Sequence, residues 1–553
     1  MDPGVDRARE WERRLSEAAK PPAPTGINPA SRPIRIAMLG WAWLSAQAAE
    51  GSGLNLSVSE LAAGLAAMGH RVHYLRSGMD YSLRPGMWIE LAEVWRGIGC
   101  FRLFNSPNLS PGNFNFHNVK GQIESPRHSA LVVEWARAMR IDAVHIHSLE
   151  GFGFDLVLAL RQAGFPVFIT PHNYYALCPQ VDLLHKEQRT CDDYQGGTSC
   201  RDCLWHAPNP DQYRNWRRRT QTAERWLGHD ALFAARERWR MIRESGMRRV
   251  MDGPSPAPIL NGPATPPPLP AIMPVADEHE NQRVLRRREL VVLNDFGHRR
   301  AAGVRALSAA TAVFCPSRFL LRVHESHGVA PGVLRHVPLG QPHFDTLRRE
   351  AESSPHYRQT PWRPGCGRPL RLAYFGNCYP NKGLSTLVRA VMQLPTDLAA
   401  RIHCSIRASG HDAPFRAALA GLAHASFLGG YDVRQLPAAM REFEVTVFPN
   451  MGLENSPFVV LESLHAGKFL IASRLGGGTD WIHEGRNGLL FRAGDVGGLI
   501  GRIDDLVSGR VTIPTPAEIH DSSTLRSYPE YVSEVSSMLE TAATINREKE
   551  QPA

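Results

Sequence analysis

Asn450-Met451-Gly452-Leu453-Glu454-Asn455-Ser456-Pro457-Phe458-Val459-Val460-Leu461-Glu462 follows directly on the apolar run Val445 to Phe448, and its reading decides the fold. A short apolar run, a glycine-containing loop, Ser456 at a helix N-cap position and Pro457 as first helical residue together predict a strand passing through a loop into a helix. The free N–H groups of such a helix start suit a phosphate. Glu454 then lies in the loop and Glu462 about six residues into the helix, roughly 9 Å along its axis. One carboxylate can reach a sugar while the other reaches a ribose. Spacing alone reads equally well as a loop acid and a helix-surface charge.

Outward from this stretch the same alternation repeats. Leu370 to Phe375, a helix from Gly383, Ile402 to Ile406, Ser426 to Leu428 and Phe469 to Ala472 make a βα series over 370–510. Upstream, Ile34 to Leu39, a loop through Gly51 and Gly53, a helical Leu54 to Met68 stopped by Gly69-His70, and Val72 to Leu75 make a β-loop-α-β unit. Ala143 to Ile146, Phe154 to Gln162, Val167 to Thr170 and Thr311 to Cys315 continue it over 34–352. Alternation of this kind predicts α/β architecture: two doubly wound parallel sheets whose carboxyl edges face one cleft, where such sheets bind ligands. A Pro-rich linker over 353–369 separates them, a polar extension covers 1–33 and a helical tail covers 511–553.

At 553 residues the chain exceeds the range of a single growing core, which also argues for two domains. No run of about 18 uncharged apolar residues is present to span a bilayer, and the N-terminus lacks the apolar stretch of a secretory signal. A cytoplasmic protein, peripheral at most to the inner membrane face, is the expectation. Net charge is +9, but eleven arginines against four acids fall between Arg214 and Arg249. A local basic segment holding Trp216, Trp226 and Trp239 points to an anionic lipid surface or an acidic acceptor rather than to nucleic acid. A partly buried helix with its arginines in water fits the same composition. Nine prolines between Pro254 and Pro274 preclude regular structure. Residues 205–300, with a second helical piece from Arg283 to Leu307, therefore read as a helical and Pro-rich insertion within the first domain.

Cys178, Cys191, Cys200 and Cys203 form Cys-x12-Cys-x8-Cys-x2-Cys. Four thiolates closing on Cys-x2-Cys have the spacing of a structural zinc site, while free thiols or two disulfides satisfy it too. No Asp-x-Asp element for a nucleotide-bound cation is apparent, so no cofactor is expected to be required for catalysis. At the end of the Ala143 to Ile146 strand, alternation puts His145 and His147 on one side, and only His147 at the carboxyl edge should meet the cleft. His172, ending the next strand, competes with it. A satisfied buried histidine is the plainer alternative for His147. Gly53, lacking a Cβ, would let the first-domain loop approach a diphosphate closely, or simply make a tight turn.

With these residues quoted, the chain resembles the retaining GT-B glycosyltransferases of family 4, whose hallmark is Glu-x7-Glu at a strand-to-helix junction. The resemblance runs over most of 34–510 and includes Gly51-Ser52-Gly53-Leu54-Asn55, Gly69-His70-Arg71-Val72, Val144-His145-Ile146-His147, Pro316-Ser317-Arg318-Phe319 and Gly376 through Lys382-Gly383. It implies that Glu454 contacts the donor sugar, Glu462 chelates the ribose hydroxyls and Lys382 binds the diphosphate. Asn455, Ser456, Pro457, Phe458 and Gly53 complete the donor site, and His147 lies near the reacting sugar. It further implies transfer from a UDP- or GDP-sugar to a hydroxyl acceptor, a glycan, glycolipid or small molecule, by attack on the face the diphosphate leaves. The family often carries an Arg where this chain has Asn377. That departure keeps open a non-catalytic nucleotide-sugar-binding partner, beside an epimerase of the same fold.

Overall fold

The computed structural model describes residues 9–15, 26–44, 53–228, 268–274 and 280–550. Gly51, Ser52, Trp239 and most of the proline run lie outside the described residues. Ten strands belong to the first half: β1 (Arg35–Gly40), β2 (Arg71–Asp80), β3 (Trp88–Trp95), β4 (Ile98–Phe104), β5 (Ala143–Ile146), β6 (Val167–Ile169), β7 (Leu184–His185), β8 (Arg189–Thr190), β9 (Ala312–Cys315) and β10 (Leu334–His336). Eight of them form one sheet in the order β10-β9-β6-β5-β1-β2-β4-β3, and β7 and β8 make a separate small hairpin. The eight-stranded sheet is parallel throughout except for β3, which runs antiparallel to β4. The β3-β4 hairpin escapes the βα pattern because its strands join directly at Arg96 and Gly97. Both carry positive φ, 49° and 75°, as a type I′ turn requires.

The second half supplies β11 (Leu370–Asn377), β12 (Ile402–Ser409), β13 (Ala425–Phe427), β14 (Val445–Phe448), β15 (Phe469–Ser473) and β16 (Gly488–Phe491). They pair in the order β13-β12-β11-β14-β15-β16, all parallel. In chain sequence this is the 3-2-1-4-5-6 order of a doubly wound sheet, so strand order reverses between β11 and β14. The first sheet reverses between β5 and β1 in the same way. The central strands are buried on both faces, which is why they read as unbroken apolar runs. The predicted pair of Rossmann-like domains is therefore the fold.

Two expectations need correction, and a third, the helical tail, holds. The chain over 1–33 is not wholly a free extension: residues 9–15 are helical, Trp11 packs edge-on against Phe101 at 5.2 Å, and Glu12 accepts from Arg71 at 2.7 Å. The tail is a helix, Tyr528–Glu550, that leaves the second domain and closes one face of the first sheet. Tyr531, Val532, Val535 and Leu539 join Ile36, Met38, Leu61 and Leu65 in one core. Gly64 permits this crossing, since a Cβ there would meet the Tyr528 hydroxyl at 2.6 Å and Val532 at 2.7 Å.

The insertion, in turn, is not confined to the first domain. Leu269 packs into the second-domain core, Pro270 O accepts from Arg389 at 3.5 Å, and Asn281 Oδ1 accepts from Gly476 N at 3.0 Å. Its helical piece is two helices, Glu280–Val284 and Asp295–Ala309, the second started by Asn294 capping Phe296 N and Gly297 N. The described part of the basic segment is the helix Pro210–Leu227. Arg217 turns inward and donates to Gly78 O at 2.8 Å and Ser110 O at 2.9 Å, while Trp216 and Trp226 stay exposed.

Candidate active site between the two domains

The loops that leave β11 and β14 at the reversal point are held against each other by backbone geometry. Asn381 O accepts from Met451 N at 2.8 Å and from Gly452 N at 3.1 Å. Gly383 carries φ of +71°, and a Cβ on it would meet Pro449 O at 1.7 Å. Only glycine allows that approach. A third loop supports the second from below: Gly477 N donates to Glu454 O at 2.6 Å, and a Cβ on Gly477 would meet Asn455 O at 1.7 Å. Lys382 and Glu454 thereby come together, and the ammonium donates to Oε1 of the carboxylate. Burial pushes the Lys382 pKa down, but the charge and hydrogen bond of Glu454, with Asp182, outweigh it and hold it above the ordinary value. The site is thus built with a permanently charged ammonium beside a carboxylate.

A cavity of about 100 Å³ lies between this pair and the first domain, lined by Lys382, Glu454 and Asn455 on one side and His172, Asn173 and Asp182 on the other. Glu454 and Lys382 keep 23% and 30% of their side-chain surface, so the cavity opens to solvent through them. A larger cavity of about 450 Å³ lies at the edge of the second sheet against Arg474, Arg502 and Asp505. It holds none of the predicted residues, and Arg474 and Arg502 in its wall are paired with Glu484 and Asp505.

Other predicted residues fall just outside the lining. His147 is buried and its Nδ1 lies 3.2 Å from His172 Nε2, so His172 is the histidine at the cavity and His147 stands behind it. Burial lowers both, His172 to about 4, with His145 and His172 adding to the effect on His147. Both rings are neutral at physiological pH. Glu462 sits in the helix Phe458–His465, buried, with Oε1 3.0 Å from His343 Nε2 and Oε2 without a protein partner among the described residues. Asn455 Oδ1 and Ser456 Oγ are also buried and unpartnered. Buried polar atoms are nearly always satisfied.

The expected Ser456 cap does not form. Pro457 holds the cap position in extended conformation, the helix begins at Phe458, and no side chain caps it. Phe458 instead packs edge-on against Phe344 at 5.4 Å. Asn377 folds into its own turn, with Oδ1 accepting from Tyr379 N at 3.0 Å, and offers the cavity no cation. Gly53 starts the helix Gly53–Ala67 with nothing within 4 Å of a notional Cβ, so no protein contact requires glycine there.

Cys178, Cys191, Cys200 and Cys203 are free thiols gathered in one region, each within reach of the charge of another. Among the described residues no three His, Cys, Asp or Glu side chains are placed to hold a metal, and Cys203 Sγ is engaged by Gln180 Oε1 at 3.2 Å. Burial raises the thiols, Cys200 to about 12 and Cys203 to about 11, so they stay protonated.

Two family models match parts of the chain. Residues 52–240 match the model described as glycosyl transferase 4-like domain, and residues 369–509 match glycosyl transferases group 1. The chain carries a glycosyl transferase 4-like domain followed by a glycosyl transferases group 1 domain. The second match contains Lys382, Glu454 and Glu462; the first contains Gly53, His147, His172 and all four cysteines.

A curated phosphatidyl-myo-inositol mannosyltransferase of Mycobacterium leprae is 34% identical over 120 residues, 21% of this chain, and the match spans about a third, 31%, of that protein. Two solved alpha,alpha-trehalose-phosphate synthases share the fold. That of Burkholderia vietnamiensis is 10% identical with a TM-score of 0.52, covering 93% of this chain and 100% of its own. That of Burkholderia xenovorans is 12% identical with a TM-score of 0.51, covering 92% and 100%.

Sequence reasoning missed Asp182, Asn173, Glu150 and His343. None sits in a periodic or motif position, and each reaches the site by way of a loop or a neighbouring helix. A buried carboxylate such as Glu150, held by Asn173 Nδ2 at 2.7 Å and Gly112 N at 2.5 Å, is invisible in an irregular stretch.

Proposed function

We propose that the glycosyltransferase moves a sugar from a UDP- or GDP-sugar to a hydroxyl acceptor with retention of anomeric configuration. The Lys382–Glu454 pair at the strand-order reversal, facing the first domain across a cavity, carries this reading. A nucleotide-sugar brings a partner for each half of the pair. Sugar hydroxyls donate to Glu454, and the diphosphate takes the Lys382 ammonium, which stabilises the charge that grows on it as the glycosidic bond breaks. The unpartnered Oε2 of Glu462 can accept from a ribose diol, and the helix start at Phe458 offers backbone N–H groups to phosphate. With Asn377 turned away, leaving-group stabilisation rests on Lys382 and these amides.

No metal cofactor is invoked in this chemistry, which Lys382 can support as the resident cation. The helix Pro210–Leu227 presents Trp216, Trp226 and Arg219 outward, which fits contact with an anionic lipid surface and hence a lipid-borne acceptor.

The test is a thermal-shift screen against UDP, GDP and their sugars, then incubation of the stabilising donor with acceptor extract. Released nucleotide with a glycosylated product of donor-like anomeric coupling is the expected result. An epimerised donor, or binding without turnover, overturns it. Co-sedimentation with phosphatidylglycerol vesicles but not phosphatidylcholine vesicles checks the lipid contact.

A further inference from the structure

Asp182 stands between two residues in the left-handed backbone region: Val181 at φ +73° and Leu183 at φ +52°. For a β-branched residue this conformation is rare, and each such residue costs about 1–3 kcal/mol unless its surroundings impose it. Here they do. Val181 O accepts from Tyr174 N at 2.9 Å, Val181 N donates to Cys178 O at 3.0 Å, and Leu183 O accepts from Cys191 N at 2.6 Å. The Leu183 side chain is fully buried. The loop is thus pinned on both sides of one aspartate, and that aspartate lines the cavity opposite Lys382 and Glu454.

Asp182 is exposed at the mouth of the cavity, and among the described residues no group donates a hydrogen bond to it, while Lys382 is bonded to Glu454 instead, so its carboxylate is open to an incoming ligand. We propose that Asp182 is the acceptor-side carboxylate of the cleft, accepting hydrogen bonds from the hydroxyls of a polyol acceptor, a sugar or cyclitol. This rests on the donor-site reading above, because that reading assigns Lys382 and Glu454 to the donor and leaves the opposite wall to the acceptor. The groups facing Asp182 agree with the role. Glu454 and Lys382 face it from the second domain with opposite charges, and Glu150 and Glu187 add negative charge from its own side. Hydroxyl donors relieve that crowding without adding charge.

The test uses the full chain with UDP or GDP present and glucose, mannose, galactose and myo-inositol as probes, read by saturation-transfer NMR. Wild type is expected to bind at least one polyol together with the nucleotide. Asp182→Asn should weaken that polyol tenfold or more and leave nucleotide affinity within twofold, which also shows that the variant is folded. Equal polyol binding by variant and wild type, no polyol binding by wild type, or loss of nucleotide in the variant overturns the assignment. If wild type binds neither nucleotide, the donor-site reading fails. The polyol titration then still reports on Asp182 by itself.

Discussion

The ammonium of Lys382 donates to Oε1 of Glu454 across the gap between loops that leave the adjacent strands β11 and β14. Each residue therefore holds the other in place until a donor separates them. Lys382→Ala removes the resident cation from the leaving group and should lower kcat/KM for the nucleotide-sugar by about a hundredfold, the scale of one lost preorganised charge contact. Glu454→Ala should cost about tenfold or more, the value of one charged hydrogen bond. Because the two residues touch, the double variant should lose less than the product of the single effects. Steady-state kinetics on the three proteins decide it, and a Lys382→Ala enzyme within threefold of wild type would remove Lys382 from the mechanism.

Glu462 spends Oε1 on His343 and keeps Oε2 buried without a partner among the described residues. If that oxygen receives a ribose hydroxyl, Glu462→Gln should weaken nucleotide binding about tenfold, since a charged acceptor is replaced by a neutral amide. The same variant should stop distinguishing the nucleotide from its 2′-deoxy form, whereas wild type prefers the ribonucleotide. His343→Gln, which only orients the carboxylate, should cost less. Calorimetric titration with both nucleotides separates these outcomes, and a variant that still prefers ribose sinks the ribose contact.

The second-domain half of the candidate site was legible because it is written on regular elements. Val445 to Phe448 is a buried strand, Glu462 lies on the helix that follows, and Lys382 precedes the glycine that lets its loop approach Pro449. The first-domain half was not. Asp182 is presented by a strained loop whose shape depends on hydrogen bonds from Tyr174 and Cys191, and no local pattern encodes left-handed Val181. The choice of His147 over His172 followed strand alternation correctly to the sheet edge, but the chain turns after β6 and brings His172 forward. The crossing of Tyr528–Glu550 onto the first sheet is a contact across hundreds of residues, visible in sequence only as an apolar stripe without a stated partner.

Several histidines are buried as neutral rings. Burial lowers His128 and His145 to about 3 and His172 and His324 to about 4, below the ordinary 6.5. Between about pH 4 and 6.5 the unfolded chain binds protons that the folded chain excludes, so stability is present above that window and falls as pH drops through it. Each such histidine contributes at most about 1.4 kcal/mol per pH unit. Glu60, Glu150, Asp182, Asp345 and Asp480, whose pKa values are raised, act in the opposite sense, but twelve histidines of the described residues are lowered and outnumber them. The melting temperature should therefore be lower at pH 5 than at pH 7 by about 5 °C or more. Differential scanning fluorimetry at pH 7, 6 and 5 checks this; a flat or rising profile on acidification contradicts it.

Two glycines of the second domain should respond oppositely to alanine. Gly383 sits at φ +71°, where a Cβ would overlap Pro449 O at 1.7 Å, so Gly383→Ala must either strain the backbone or push the Lys382 and Glu454 loops apart. A stability loss of about 2 kcal/mol or more is expected from the left-handed conformation and the clash together. Activity should fall with it, because the loops that move carry the donor-site pair. Gly501 lies inside the helix Val496–Val507 with nothing within 4 Å of a notional Cβ. Gly501→Ala should thus be neutral or stabilising by roughly 0.5–1 kcal/mol, the helix-propensity difference. Urea melts of both variants beside nucleotide-binding assays distinguish the cases. Equal stability of the two proteins would mean that the close approach of Gly383 to Pro449 is not what holds the donor loops together.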